Sequence, residues 1–206
     1  MGEFRRTSEV RQVELTDAAL HIIATKGIAA LSTRSLAQQV GLSSGAIFRH
    51  FPSIEALLDA VVSRVEAVLE ATLPSAALPP VERLERFVEA RSMAVGNQLG
   101  ILRLVLSEQF LLALPRSGSR RLSACVQKTR TFISECLREG QAAGDLRADL
   151  PTDTLAPIVM GTVQMLALSS AKKEQREAEA RAVLGSLLVL LRPPSTIAPQ
   201  IKKRSR

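Results

Sequence analysis

The sequence contains no tryptophan and no tyrosine, and only six phenylalanines among its 206 residues. Runs of β-branched residues are also few, while alanine, leucine, arginine and glutamate are abundant. Sheets are enriched in aromatic and β-branched residues, whereas helices favour the four abundant types. The composition therefore predicts an all-α protein and argues against a β-sandwich or barrel. With 46% apolar and 23% charged residues, the chain has the composition of a globular protein.

Cysteine is scarce as well. Cys125 and Cys136 are too few for a disulfide framework or for a zinc site built on cysteine alone. They lie in one predicted helix, which separates them by about 16 Å and forbids a bridge between them. We predict buried structural thiols and no cofactor or metal. No nucleophile–base pair, glycine-rich phosphate loop or spaced carboxylate cluster is present, so we do not expect an enzyme.

Long apolar segments are missing too. The longest uncharged stretch, residues 154–171, contains Pro157 and Gln164 and favours a buried or interfacial helix over a membrane span. The first residues lack the apolar core of a secretion signal. We expect a cytoplasmic protein that does not contact a membrane.

The net charge of +7 is distributed unevenly. Residues 1–65 and residues 66–191 each have a balance of +1, whereas residues 192–206 carry five basic and no acidic side chains. The high pI of about 10.2 is therefore mostly a property of the C-terminal end. By itself it is weak support for nucleic-acid binding. We predict that residues 192–206 form a basic, disordered tail.

Glycine and proline divide the chain into nine predicted helices. The first ends at Gly27, the second occupies the interval from Ser32 to Gly41, and the third covers residues 44–50. The fourth follows Pro52 and has about nineteen residues. The other five are predicted at residues 81–96, 99–114, 120–143, 152–170 and 174–191, with a loop at 115–118 between the second and third of these.

Residues 32–51 read STRSLAQQVGLSSGAIFRHF, which is the pattern of two short helices joined by a glycine turn. Gly41 supplies the positive φ of the turn, and Ala37 is small enough to let the helices cross closely. Ile47 and Phe51 would anchor the second helix on the first long helix. The outward face of the second helix would then lie in the major groove of DNA.

The run from about residue 10 to residue 62 resembles the TetR family of bacterial regulators. The family pattern continues through Leu36 and Ala37, the segment GLSSGAIFRHF at 41–51, and Glu55 to Leu57. The resemblance implies a nine-helix all-α architecture in which residues 1–52 form a helix-turn-helix DNA-binding domain. Residues 53–191 would then form a helical effector-binding and dimerisation domain, followed by the tail.

The resemblance also assigns the DNA contacts. Ser32 and Thr33 would cap the second helix, Ser43 the recognition helix, and Arg49 would bind guanine O6 and N7. The implied DNA-binding residues are Ser32, Thr33, Arg34, Ser43, Ser44, Gly45, Ala46, Phe48, Arg49 and His50. The chain departs from the family at Phe48, where tyrosine is usual, and at Ile54, where lysine is usual. Both usual residues contact phosphate.

By resemblance, the protein is a homodimeric, ligand-responsive repressor that binds a palindromic operator in double-stranded DNA. The implied dimer interface includes Ala156, Gly161, Ala167, Leu184, Leu187, Leu188 and Leu191. Polar residues in apolar surroundings suggest a pocket for an apolar or amphipathic effector, formed by Gln98, Arg103, Ser107, Gln109, Thr162 and Gln164. The alternative is a dimeric ligand-binding or protein-interaction module that keeps the fold but binds DNA weakly. The two departures from the family pattern favour this alternative, and the salt dependence of DNA binding separates the two.

Overall fold

A computed structural model of the chain describes residues 8–97, 108–167 and 173–194. Within these ranges the chain is helical and contains no strand, which confirms the all-α prediction. A short 3₁₀ helix, Ile28–Ala30, precedes the second helix. The described ranges contain nine α-helices, which are α1 (Ser8–Lys26), α2 (Thr33–Val40), α3 (Ser44–Ile47), α4 (Ile54–Glu70), α5 (Pro80–Asn97), α6 (Glu108–Ala113), α7 (Arg116–Ala143), α8 (Thr152–Ala167) and α9 (Lys173–Leu191).

The predicted helix caps are confirmed in the N-terminal part. The Ser32 hydroxyl accepts from the Ser35 backbone N–H at 3.1 Å, and the Ser35 hydroxyl accepts from the Ser32 backbone N–H at 2.9 Å. This reciprocal pair satisfies two backbone donors at the start of α2. Gly41 ends α2 with φ at 69°, in the left-handed region, as expected for its turn. The Ser43 and Ser53 hydroxyls each accept one backbone N–H, from Ala46 and Ala56, and so cap α3 and α4.

Several predicted boundaries are wrong. The loop prediction at 115–118 fails because α7 begins at Arg116, immediately after Pro115, and Gly118 lies inside the helix. A Cβ added at Gly118 would lie 3.4 Å from Val62, so the glycine serves close packing rather than a turn. The third helix stops at Ile47 and α4 has 17 residues. Of the helix predicted at 99–114, Glu108–Ala113 is described, and residues 98–107 lie outside the described ranges, as do residues 168–172.

Two hydrophobic clusters form the core. The first joins α1, α2, α3 and α4, and it also includes Phe110, Leu114 and Leu122 from α6 and the start of α7. The second cluster is formed by α5, the C-terminal half of α7, α8 and α9. Helix α7 contributes to both clusters and has 28 residues, so its length is about 42 Å. Helix α4 lies beyond the predicted domain boundary between residues 52 and 53, yet it packs in the first cluster with α1, α2 and α3. The boundary stays a prediction.

A polar cluster ties α4 to α7; we call Asp59, Ser63, Glu66 and Arg121 the Arg121 cluster. The Nε atom of Arg121 donates to both carboxylate oxygens of Glu66 at 3.0 Å. Its Nη1 atom donates to Asp59 and its Nη2 atom to the Ser63 hydroxyl, both at 2.7 Å. The hydrogen bonds that Arg121 donates to Glu66 raise the pKa of Arg121 above its ordinary value. One turn or two farther along the helices, Lys128 pairs with Glu70.

The two cysteines lie on α7. Cys136 is buried and Cys125 is half-buried, and both are free thiols. Burial raises the pKa of Cys136 to about 11, which keeps its thiol protonated at neutral pH. Among the described helices, none is long and apolar enough to cross a membrane.

Candidate nucleic-acid interface

Residues 43–51, which comprise α3 with its cap and the turn that follows it, are called the recognition segment. Apolar side chains hold this segment to the body of the protein. Ile47 and Phe51 are buried in the first cluster, as the sequence predicted, together with Leu36 and Ala37 of α2. Helix α3 has four residues, too few to be stable alone, because nucleating a helix costs more than one turn recovers. Its geometry therefore depends on this packing and on the Ser43 cap.

The end of the recognition segment is tied to the start of α1. The side-chain amide of Gln12 donates to the His50 carbonyl oxygen at 3.0 Å, and the Ser8 hydroxyl lies 3.4 Å from Nδ1 of His50. His50 is half-buried at this junction. Its backbone carbonyl therefore fixes the distance between α1 and the end of the recognition segment, a role that the sequence did not reveal.

The outward face of the segment is exposed, as the helix-turn-helix prediction requires. Ser44, Gly45 and Arg49 are exposed, and Ala46 is half-buried. Phe48 is 51% exposed, so its ring is accessible to a binding partner. A Cβ added at Gly45 would contact nothing within 4 Å, so the fold itself does not require glycine there.

The charge of this surface is positive. No acidic residue occurs at positions 18–54, which include Lys26, Arg34 and Arg49. Arg34 and Arg49 are exposed, and neither forms a hydrogen bond or ion pair with any described residue. Two acidic residues border this stretch: Asp17 is paired with Arg64 of α4 at 3.3 Å, and Glu55 lies in the first turn of α4. The arginines therefore remain available for an anionic partner.

The start of α4 differs from the rest of this surface. Ile54 is half-buried and packs against the first cluster, so its side chain stabilises the core. Glu55 follows it, and hydrogen bonds from its own backbone N–H and from Ser53 lower the pKa of its carboxyl. The carboxylate thus occupies the positive end of the helix, where a phosphate would otherwise be favoured. Neither residue provides the positive charge that the family pattern predicts at this position.

The residues predicted for a dimer interface have three different outcomes. Leu184, Leu187 and Leu191 are buried in the core of their own protomer, and their place in a dimer interface stays a prediction. Ala156, Gly161 and Leu188 are half-buried, and the side chain of Ala167 lies outside the described set. The strongly exposed apolar side chains of α8 and α9 are instead Ile158, Met165, Val189 and Leu190.

The residues predicted for an effector pocket are only partly described. Gln98, Arg103, Ser107 and the side chain of Gln109 lie outside the described set. The Thr162 hydroxyl donates to the Ile158 carbonyl oxygen at 2.9 Å, within its own helix. Gln164 lines a groove of about 430 Å³ between α7 and α8, and Thr162 does not line it. The structure therefore does not bring these two residues together in one site.

Sequence reasoning missed two buried arginines on α5, Arg83 and Arg91, each 4% exposed. The signal was present, because Arg91 follows Leu84, Phe87 and Val88 at helical spacing and so shares their buried face. A charged residue in an apolar stripe is unusual and deserves a functional interpretation.

Comparison with known proteins finds a family model that matches the N-terminal part of the chain and relatives that match most of its length. The family model described as bacterial regulatory proteins, tetR family, matches residues 15–61. The nucleoid occlusion factor SlmA of Vibrio vulnificus is 24% identical over 163 residues, 75% of this chain and 80% of that protein. The HTH-type transcriptional regulator SrpR of Pseudomonas putida is 26% identical over 191 residues, 90% of this chain and 87% of that protein.

Solved structures share the whole fold. The ketosteroid transcriptional regulator KstR2 of Mycobacterium tuberculosis superposes with a TM-score of 0.78 at 20% identity, covering 94% of this chain and 98% of that chain. AibR in complex with isovaleryl coenzyme A and operator DNA gives a TM-score of 0.72 at 17% identity, covering 89% of this chain and 99% of that chain. At these identities the likeness establishes the fold.

Proposed function

We propose that this chain is a member of the tetR family of bacterial regulatory proteins and that it is a cytoplasmic, ligand-responsive repressor that binds a palindromic operator as a homodimer. We propose no catalytic role. The observation that carries this proposal is the acid-free surface of α2 and α3, on which Arg49 is exposed and has no partner among the described residues. Such a surface complements the phosphates and base edges of DNA.

Arg49 is the residue that we assign to base recognition. Its guanidinium has five donors and could bind O6 and N7 of one guanine simultaneously. Phe48 and Ala46 would contact thymine methyl groups, while Ser44 would donate to a phosphate or base. Arg34, at the start of α2, would contact the backbone and set the register. Ser32, Thr33, Ser43, Gly45 and His50 would complete the contact surface.

Dimerisation is proposed through α8 and α9. Ile158, Met165, Val189 and Leu190 are between 53% and 69% exposed, although side chains of this kind are normally removed from water. Two copies related by a twofold axis would bury these residues in a four-helix bundle. The recognition helices would then reach successive major grooves, roughly 34–36 Å apart, and read a near-palindrome.

An effector would act by changing the spacing between the two recognition helices of the dimer. AibR, which has the same fold, was solved with both a small molecule and operator DNA, and this supports a ligand-responsive role. An effector that binds more tightly to the conformation that does not bind DNA shifts the protein toward that conformation. The size of the shift is set by the difference between its affinities for the two conformations. The Arg121 cluster joins α4 to α7 and would transmit the shift to the DNA-binding part.

The experiment is selection of genomic fragments by the purified protein at near-physiological salt, followed by affinity measurements on the motif recovered. We expect a short palindrome. Arg49→Ala should weaken specific binding by about 10- to 100-fold and relax the preference at one base pair of each half-site. Arg138→Ala is the matched control, because Arg138 is an exposed arginine on α7, away from the recognition segment. Equal binding by wild type and Arg49→Ala would contradict the assignment.

A module with weak DNA binding is the second candidate function. Phe48 and Ile54 replace the family's tyrosine and lysine, and Glu55 occupies the start of α4. This candidate predicts no enriched motif and a salt slope near zero. The repressor predicts several counterions released per dimer.

A further inference from the structure

Two buried arginines on α5 have different environments. The guanidinium of Arg83 pairs with the Glu139 carboxylate on α7, which is itself about half-exposed. Arg91 lies two turns farther along α5, is equally buried, and has no carboxylate partner among the described residues. Arg83 is therefore explained by its ion pair, whereas Arg91 is not.

The contacts of Arg91 leave its charge uncompensated. Its Nη2 atom donates to the Thr129 hydroxyl at 3.3 Å, and its guanidinium lies 5.2 Å from the centre of the Phe87 ring. Its Nε atom is buried and has no acceptor among the described residues; the same holds for Nε of Arg83, so the missing carboxylate is what distinguishes Arg91. Removing a cation from water without an anionic partner is strongly unfavourable. A long hydrogen bond to a neutral hydroxyl and one ring contact offset this cost only in part.

The charge persists at neutral pH. Burial lowers the pKa of Arg91 to about 10, which leaves the guanidinium almost fully protonated at pH 7. Deprotonation therefore does not relieve the cost, and an anion would.

The surroundings of Arg91 indicate what carries that anion. Phe87 packs against Phe132 of α7 with their ring centres 5.2 Å apart, and Leu84 and Val88 extend the same apolar face of α5. A hydrated inorganic ion would lose its water there without replacing it. A molecule with an apolar chain and one anionic group would fit both features.

We propose that Arg91 binds the anionic group of a small amphipathic organic acid, a carboxylate or a phosphate monoester, and that this molecule is the effector. The inference rests on the proposed function, because it gives a chemical class to the effector of a ligand-responsive regulator. Thr129, which contacts Arg91, and Arg121, which holds α4, lie on the same helix about 12 Å apart. Binding at Arg91 therefore acts directly on the helix that positions the DNA-binding part.

The test uses the full-length protein and three probes with the same alkyl chain: octanoate, octyl phosphate and 1-octanol. Thermal unfolding and calorimetry should show that at least one of the two anions binds the wild type and raises its Tm, while octanol at equal concentration raises it less. Which anion binds distinguishes a carboxylate effector from a phosphate effector. Arg91→Met should weaken binding of that anion by about 10- to 100-fold. Arg91→Lys should give an intermediate affinity, because it keeps the charge but loses the planar fork.

Arg83→Met is the matched control, since it removes an equally buried arginine from the same helix but should leave the anion affinity within about twofold. Without a probe, Arg91→Met should unfold at the same or a higher temperature than the wild type, because it removes an uncompensated buried charge. A purely structural arginine would give a lower Tm instead, and that result would overturn the proposal.

Other results would also overturn the assignment of Arg91. These are equal responses to octanol and both anions, an unchanged anion affinity in Arg91→Met, or an equal loss in Arg83→Met. If Arg91→Met does not fold, the comparison of probes on the wild type and the Arg91→Lys affinity decide the question. A protein that selects an operator but ignores both anions would refute the Arg91 assignment alone. A protein that binds the anion but selects no operator would refute the proposed function and leave the anion site in place.

Discussion

Replacing Arg121 with methionine tests whether the polar contacts between α4 and α7 contribute to stability. Methionine keeps an unbranched apolar stem in place of the arginine stem and removes the guanidinium. The lost contacts are two hydrogen bonds from Nε to Glu66 at 3.0 Å, a third from Nη2 to Glu66, and one each to Asp59 and Ser63 at 2.7 Å. The Arg121 side chain is 34% exposed, so each contact is partly screened by water.

The expected loss follows from the number of contacts and their exposure. An exposed ion pair contributes about 0.2–1 kcal/mol, and a bidentate network lies toward the upper end of that range. Two carboxylate partners and one hydroxyl then amount to about 1–2 kcal/mol. For a chain of this size, about 2–4 °C of Tm corresponds to each kcal/mol, so the Tm should fall by about 2–8 °C. In 1 M salt the screening length is about 3 Å, and the difference should shrink by half or more.

The measurement is thermal unfolding followed by circular dichroism, at low and at high salt. Lys128→Met is the matched control, because Lys128 joins the same two helices through Glu70 but both side chains are more than half exposed. It should lower the Tm by less than about 2 °C. Equal losses for the two variants, or an Arg121→Met effect that salt does not reduce, would refute this reasoning.

Two further predictions concern the turn between α7 and α8. Gly140→Ala should lower stability by about 1–3 kcal/mol, because the new Cβ would lie 2.6 Å from Cδ1 and 2.8 Å from Cγ of the buried Leu146; an unchanged unfolding temperature would show that the leucine moves aside freely. The hydrogen bond from Arg147 holds the pKa of Asp149 below its ordinary 3.8, so this pair contributes stability above pH 3.8 that is lost as the pH falls through the lowered value. Arg147→Met should return the pKa of Asp149 toward 3.8 in an NMR titration of its carboxyl group, and a pKa that stays low would contradict the assigned cause.

The sequence was most informative where structure is determined locally. Ser32, Ser43 and Gly41 act within three or four residues of their own position, so caps and turn could be predicted without knowledge of the rest of the fold. Ile47 and Phe51 were predictable because the helix-turn-helix pattern leaves them one face to pack on.

The buried face of the C-terminal half of α9 could not be predicted from the local sequence. From Val183 onward its residues are apolar on nearly all sides, so the helical period does not show which face meets the core. Leu184, Leu187 and Leu191 turned inward, while Val189 and Leu190 remained outside. The predicted loop at 115–118 failed for a different reason. Gly118 lies inside α7 and packs near Val62 of α4, a residue distant in sequence.

The composition of the first hydrophobic cluster has a consequence for swapping parts between related regulators. Phe110, Leu114 and Leu122 come from the part of the chain beyond α5, yet they complete the core on which α1 and α4 rest. A fragment ending after α4 would therefore expose Val62 and its neighbours to water and lose part of its own support. A hybrid that grafts this DNA-binding part onto another protein must also carry, or match, those three side chains.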